Sequence, residues 1–392
     1  MIVNALIVVL SFVLVLSFIV FIHELGHYGM AKLFGTRVER FSVGFGKPLA
    51  RWSAKSGEEW VVGRWPLGGY VKFLGDSSVA SAPDADALAR VDAPAESLFQ
   101  NKPVGQRSLI ALAGPLANFV LAVVIFAGLA FFIGERNLRP VVTEVMPESA
   151  AAVAGLEPGD TIVSFDGRAV DTASDVQSYI ALRSGERIAM VVERGGGEVA
   201  LDITPRKIAR EDAIGGTSEM GTIGVRMGGS ESVVTTTYGP LESVGVGVRR
   251  VGEALAMTGT YAKRILLGKE DGSQFGGVLR IAAVTGKVAV DGANAGAGAP
   301  EPVPLGTRIG YTILSLLQLA AMLSVGLGIA NLLPIPMLDG GHLAFYGYEA
   351  VAGRPMSIEA QNFAYRFGVL VLACLFIYLT FNDVGYIRSL LS

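Results

Sequence analysis

Cysteine and histidine are scarce in this sequence, and so is charge. The single cysteine, Cys374, lies in an apolar run. A disulfide framework is therefore excluded, and so is a zinc site built on thiolates. There are three histidines, at positions 23, 27 and 342, and any imidazole-based metal centre has to draw on them. Charged residues make up 17% of the chain, against roughly 25% in soluble globular domains. The formal net charge of −3 offers no basic surface, so no nucleic-acid partner is expected. Apolar residues fill the space instead, at 51%. That balance predicts an integral membrane protein with a sizeable water-exposed part.

Four stretches are apolar enough to cross a bilayer core, which takes about 20 residues. The first runs from Ile2 to Ile22 and continues past His23 towards Leu33. The second covers Ser108 to Ile133, and the third Ile309 to Leu333 with a proline-broken tail. The fourth covers Phe363 to Tyr386, with Arg366 near its start. The first stretch does not read as a secretory signal: its first cation, Lys32, follows the apolar run, and no small-residue cleavage site closes it. Cations such as Arg37, Arg40, Lys47 and Lys102 lie near the ends of the next loop, which places that loop in the cytoplasm by the positive-inside rule. The expected organisation is a first transmembrane helix at 1–33, a cytoplasmic loop at 34–104 and a second helix at 105–134. An extracytoplasmic region follows, divided into 135–230 and a membrane-proximal segment with linker at 231–308. A third helix with a broken segment covers 309–352, and a fourth helix 363–388.

Within the cytoplasmic loop, Val38–Phe45 alternates apolar and polar residues, a period of two that signals a strand. Trp60–Leu74 is a second β-like piece, broken by Pro66-Leu67-Gly68-Gly69. Residues 77–97 and 286–306 are rich in small residues and proline and read as linkers. The segment 139–206 reads as strand, short helix, a G-L-E-P-G-D turn, a hairpin through Asp166-Gly167, a helix capped near Thr172 and a hairpin through Gly195-Gly196-Gly197. That order resembles a PDZ domain, a fold that captures extended peptides on a sheet edge. One such unit is visible. The fold class is thus a polytopic α-helical membrane protein with four transmembrane helices, a membrane-associated β-rich cytoplasmic loop and one extracytoplasmic PDZ-like α/β domain.

His23-Glu24-Leu25-Gly26-His27 is an H-E-x-x-H motif. On a helix, residues four apart share a face, so both imidazoles can reach one metal ion, with the glutamate placed to take a proton from water. Polar groups at the end of an unbroken apolar helix are costly and mark function. A catalytic zinc takes three protein ligands and keeps one position open. Asp339, in Asn331-Leu332-Leu333-Pro334-Ile335-Pro336-Met337-Leu338-Asp339-Gly340-Gly341-His342, is the leading third ligand. His342 is its rival, and alternatively a residue that orients the ligands. The first and third spans cross in the same direction, which puts both motifs towards the cytoplasmic side.

These motifs together resemble the site-2 protease family of intramembrane zinc metalloproteases, in the bacterial regulator-of-sigma-E type, over nearly the whole chain. The resemblance implies a zinc metalloendopeptidase of the bacterial inner membrane. Its Zn2+ would be held by His23, His27 and Asp339, with Glu24 as general base and His342 outside the ligand set. The substrate would be a single-span membrane protein such as an anti-sigma factor already trimmed by a first protease, cut by a monomer in a stress response. It further implies that the loop around 38–74 forms a membrane-dipping β-structure that pairs with unwound substrate through Gly68, Gly69, Tyr70 and Phe73. Asn331 would help hold substrate, and Gly221, Ile223 and Val225 would line the ligand groove of the PDZ-like domain. Gly114-Pro115-Leu116-Ala117-Asn118 matches the family's second span, and reads equally as close packing by small residues. Arg280 falls in a membrane-proximal segment shared with the family. The chain departs from the family's best-known members in having one PDZ-like unit in place of two. A non-enzymatic alternative is a membrane-anchored PDZ scaffold with a structural zinc, but closed structural sites take four side chains. A zinc transporter would need polar residues along several spans, and the second and fourth have almost none.

Overall fold

A computed structural model describes residues 2–75, 93–211, 217–228, 233–270, 272, 275–294 and 303–391. The helices are α1 (Ile2–Leu33), α2 (Val104–Phe132), α3 (Ala150–Ala154), α4 (Ala173–Ala181), α5 (Pro240–Leu266), α6 (Val278–Ala293), α7 (Leu305–Asn331), α8 (Asp339–Ala352) and α9 (Ile358–Leu391). The strands are β1 (Val38–Ser53), β2 (Glu59–Phe73), β3 (Glu135–Leu138), β4 (Val142–Val145), β5 (Thr161–Phe165), β6 (Arg168–Ala169), β7 (Ile188–Arg194), β8 (Gly197–Ile203), β9 (Arg206–Glu211), β10 (Thr217–Thr222), β11 (Val225–Met227) and β12 (Val233–Thr236). They fall into two compact units. One comprises Met1–Ala127, Val244–Thr258 and Gly276–Asp383; the other comprises Gly128–Ser243, Gly259–Phe275 and Val384–Ser392.

Among the described residues, four helices are long and apolar enough to cross a membrane: Leu6–Leu33, Val104–Phe132, Leu305–Asn331 and Ile358–Arg388. A bilayer leaves no water for backbone groups, so such segments bond their amides internally as helices. Leu10 and Leu14 stand exposed on α1, as side chains facing lipid do. Where helices meet, small residues let the backbones approach. A Cβ on Gly26 would lie 2.3 Å from Ala113 O, and one on Gly328 would lie 2.7 Å from the Phe119 ring.

Helix α6 corrects the reading of 286–306 as linker up to Ala293. Its glycines are packing positions: a Cβ on Gly286 would lie 2.5 Å from Val8 of α1, and one on Gly292 would lie 2.3 Å from Thr312 Oγ1 of α7. The other expected linker, 77–97, lies outside the described residues as far as 92. Its end carries the short 3-10 turns Ala95–Ser97 and Phe99–Asn101.

Strands β1 and β2 form one antiparallel ribbon that folds back on itself. The first half of β1 pairs with Gly69–Phe73 on one side and with Glu59–Val62 on the other, and its second half pairs with Glu59–Gly63. Strand β2 runs unbroken through Pro66-Leu67-Gly68-Gly69, where a break is expected from the sequence. Gly68 takes φ +95° there, which a side chain would resist. Phe41, Val71 and Phe73 are buried with Ala31 and Ile110 in one apolar cluster. Elsewhere on the ribbon, Leu49, Trp52 and Trp65 are exposed.

The second unit contains the α/β segment. Strands β6-β5-β7-β8 make a four-stranded sheet, β11 pairs with β4, β10 with β9 and β12 with β3. Ile162, Phe165, Val176, Ile188, Met190 and Ile223 are among the residues that fill its core. The turn at Asp166-Gly167 has both residues at positive φ, as the expected hairpin requires. Ser149 caps α3, and Thr172 with Asp175 forms a capping box on α4. Asp160 is buried and accepts from Arg194 Nε and Nη2, both at 2.7 Å, and from the Glu157 amide at 2.9 Å. The Arg194 guanidinium chiefly, opposed by burial and aided by the Glu157 amide, holds its carboxyl below the usual carboxylate value.

Candidate active site

All of the chemistry-bearing residues singled out around the two motifs lie in the first unit. His23 and Glu24 are buried on α1. One turn separates His23 from His27, so both rings leave the same helix face. Their Nε2 atoms are 3.2 Å apart. Asp339, the first residue of α8, brings Oδ2 to 3.2 Å from His23 Nε2 and Oδ1 to 3.4 Å from His27 Nε2. Two glycines let the chain deliver it. A Cβ on Gly340 would lie 2.3 Å from the Leu332 and Leu333 carbonyls, and one on Gly341 would lie 2.4 Å from Ile335 O. Between the prolines and Asp339, Met337 sits at φ +92°, a conformation that costs a non-glycine residue about 1–3 kcal/mol.

Hydrogen bonds fix which nitrogen of each ring faces the centre. His27 Nδ1 is 2.8 Å from Ile110 O. A carbonyl only accepts, so Nδ1 carries the proton and Nε2 presents its lone pair. Ile110 lies on α2, five residues ahead of Pro115 in the same helix. His23 Nδ1 is 3.2 Å from the Asn118 side-chain amide. Asn118 is fully buried, and its Oδ1 has no partner while Nδ2 faces the ring. The two ends of an amide have the same shape; with Oδ1 towards His23, it accepts from Nδ1–H and leaves Nε2 free, as at His27. Ser324 Oγ donates to Asn118 O at 2.9 Å and ties this part of α2 to α7.

The donor set fits a metal ion. Two imidazole lone pairs 3.2 Å apart repel unless a cation lies between them, and Asp339 Oδ2 is buried without a hydrogen bond of proper geometry. Ligand atoms about 2.0–2.1 Å from a tetrahedral zinc stand about 3.3 Å from one another, which the separations of 3.2–3.4 Å match. His23, His27 and Asp339 form such a candidate group among the described residues.

A cavity of about 410 Å³ opens on this cluster, lined among others by Glu24, Gly69, Tyr70, Asn331, Asp339 and His342. Asn331 Nδ2 is 3.4 Å from His23 Nε2. Gly69 is pressed on the helix: a Cβ there would lie 2.9 Å from Glu24 Cγ. Tyr70 stacks on Phe45. Phe73 is buried, with its ring stacked on Phe99. The His342 ring is surrounded by Phe345, Tyr346 and Tyr365. Gly221, Ile223 and Val225 lie in the second unit, where Ile223 is a core residue and Val225 pairs with Val145. The sequence reading left Asn118 undecided and missed the Ile110 carbonyl. The G-P-L-A-N run was the available signal for Asn118, whereas a backbone acceptor leaves no trace in sequence.

Two imidazoles and a carboxylate converging on one point, with a glutamate beside them on the same helix, make the donor set of a metal-dependent hydrolase. The peptidase family M50 model matches residues 11–375, and the chain belongs to that family. A protein of Agrobacterium fabrum that carries a zinc-metalloprotease name is 39% identical over 96% of this chain and 95% of its own. Metalloprotease MmpA of Caulobacter vibrioides is 38% identical over 97% of this chain and 96% of its own. A Rickettsia conorii protein with a zinc-metalloprotease name is 32% identical over 97% and 99%.

Proposed function

We propose that this chain is a zinc metalloendopeptidase that hydrolyses a peptide bond within the membrane-spanning segment of a single-span protein. The observation that carries the reading is the trio His23, His27 and Asp339 at tetrahedral spacing, with Glu24 beside it, on a helix long and apolar enough to cross a bilayer. The names of the relatives support zinc as the metal. His23, His27 and Asp339 would hold it, with Ile110 O and Asn118 keeping the two rings in the tautomer that binds. A zinc ion held by these residues would supply a water acidified towards neutral pH and polarisation of the scissile carbonyl. Glu24 takes the proton from the attacking water and passes it to the leaving amine. The Asn331 amide donates to the developing oxyanion.

A substrate helix has to unwind before it is cut, because its carbonyls are bonded within the helix. Among the described residues, Gly69–Phe73 pairs with β1 on one side only and lines the cavity on its way past Glu24. It offers the unwound segment a strand partner. Phe73 supports that edge from the apolar cluster. The exposed Leu49, Trp52 and Trp65 suit a ribbon that dips into the bilayer.

The α/β segment of the second unit is read as a PDZ-like domain with Gly221, Ile223 and Val225 along its groove, which excludes or recruits substrates outside the membrane. His342 orients the site from outside the ligand set. The protein is placed in a bacterial inner membrane as a monomer, with the zinc centre towards the cytoplasm and the PDZ-like domain outside. An anti-sigma factor pre-cut by another protease fits the substrate class. Asp339→Asn tests the ligand set: zinc content of the purified variant falls well below one ion per chain and cleavage is lost. Full zinc retention would remove Asp339 from the site.

A further inference from the structure

Glu58 is a carboxylate that the chemistry above does not use, yet it is 1% exposed. It lies at the turn between β1 and β2. It accepts hydrogen bonds from Tyr28 Oη at 2.5 Å, Ser56 Oγ at 2.9 Å and Lys32 Nζ at 3.1 Å. Burial pushes its pKa up, but the hydrogen bonds from Tyr28, its own backbone amide, Ser56 and Lys32 outweigh that and bring it to about 2. It is a charged group, sealed in and held by partners on two elements.

Those partners are placed to a pattern. Tyr28 and Lys32 lie four and eight residues beyond Glu24, so the three share one face of α1. The ribbon meets that face through Gly69 against Glu24 and through Glu58 against Tyr28 and Lys32. Between them lie rings. Tyr28 meets Phe41 at 5.7 Å and Trp60 at 5.5 Å, and Phe41 stacks on Trp60 at 4.4 Å. Apolar contacts of this kind tolerate sliding, since burial has no preferred direction. A buried carboxylate with three matched donors does not, because any shift leaves it unpaired.

We propose that Glu58 is a positioning residue: it pins the ribbon to α1, fixes the register of the Gly69–Phe73 edge against Glu24, and so selects which substrate bond is cut. This rests on the reading that the edge pairs with unwound substrate. Side chains alternate along a strand with a rise of about 3.4 Å per residue. A slide of one residue therefore carries a different peptide bond past the centre, turned to the opposite face.

The test uses the full-length zinc-loaded chain in detergent, with a set of tagged single-span peptides that carry helix-breaking residues at different depths. Cut positions are read by mass spectrometry, with zinc content and melting temperature as controls. In Glu58→Ala the cuts spread to neighbouring bonds, and kcat/KM at the wild-type bond falls about tenfold or more. Glu58→Gln keeps an acceptor for Tyr28 and Ser56 and restores the wild-type position. If Glu58→Ala does not fold, Tyr28→Phe carries the same readout, with a smaller spread. A Glu58→Ala or Tyr28→Phe enzyme that cuts only at the wild-type bond, whether at full or reduced rate, overturns the proposal and leaves the protease reading intact. Failure of the zinc-loaded wild type on every peptide would sink the protease reading, and this proposal with it.

Discussion

Gly114 of α2 stands directly against His27 of α1. A Cβ built on it would lie 2.2 Å from His27 Nε2 and 2.9 Å from His23 Cε1. The two helices already touch here, with Gly26 of α1 resting against the Ala113 backbone of α2. One methyl group at position 114 therefore displaces both rings. Gly114→Ala is expected to lower zinc affinity by about 10–100-fold, as disturbed ligand support does, and cleavage by at least as much. Zinc titration of the purified variant checks this. Wild-type zinc affinity would mean that the rings do not depend on the closeness of α2.

In the second unit, the buried Asp160 pairs with the partly exposed Arg194. Removing the Asp160 carboxylate leaves the Glu157 amide without its acceptor and the Arg194 guanidinium without its main partner. In Asp160→Ala, hydrogen exchange at the protected amides of β5 and β7 should accelerate by about tenfold or more, as loss of hydrogen bonds to a buried charged group does. The pH dependence follows from the sign of the shift. The folded-state pKa is depressed below 3.8, so the contribution is fully present above the unfolded value and is lost as pH falls through the folded one. The gap between wild type and variant should hold from neutral pH to about 5 and close below pH 4. A gap that widened on acidification would contradict the pairing.

Much of the site was legible because its residues break rules that the surrounding sequence obeys. His23, Glu24 and His27 interrupt an apolar helix, and the prolines and glycines around Asp339 interrupt another. The four spans follow from hydropathy, and the Asp166-Gly167 and Thr172 signals located a hairpin and a helix start. What stayed hidden depends on contacts far apart in sequence. Gly286 and Gly292 look like linker residues until Val8 and Thr312 are seen against them. Pro66 to Gly69 reads as a strand break, yet the strand runs on, with Trp65 just before the run and Gly69 at its end paired to β1. The hold on Glu58 likewise comes from Tyr28 and Lys32, 30 and 26 residues away in sequence.

Purified full-length chain and its Glu24→Gln variant, both assayed for zinc and reconstituted with the same tagged single-span substrates, decide whether this centre performs hydrolysis. Glutamine keeps the size of the side chain and leaves His23, His27 and Asp339 in place, but it accepts no proton from water at neutral pH. The expected result is one zinc per chain in both, cleavage within the membrane segment by the wild type, and none above background by the variant. Cleavage by the zinc-loaded variant at the wild-type rate would contradict Glu24 as the base. Zinc in both with cleavage by neither, on every substrate in the set, would contradict the protease itself.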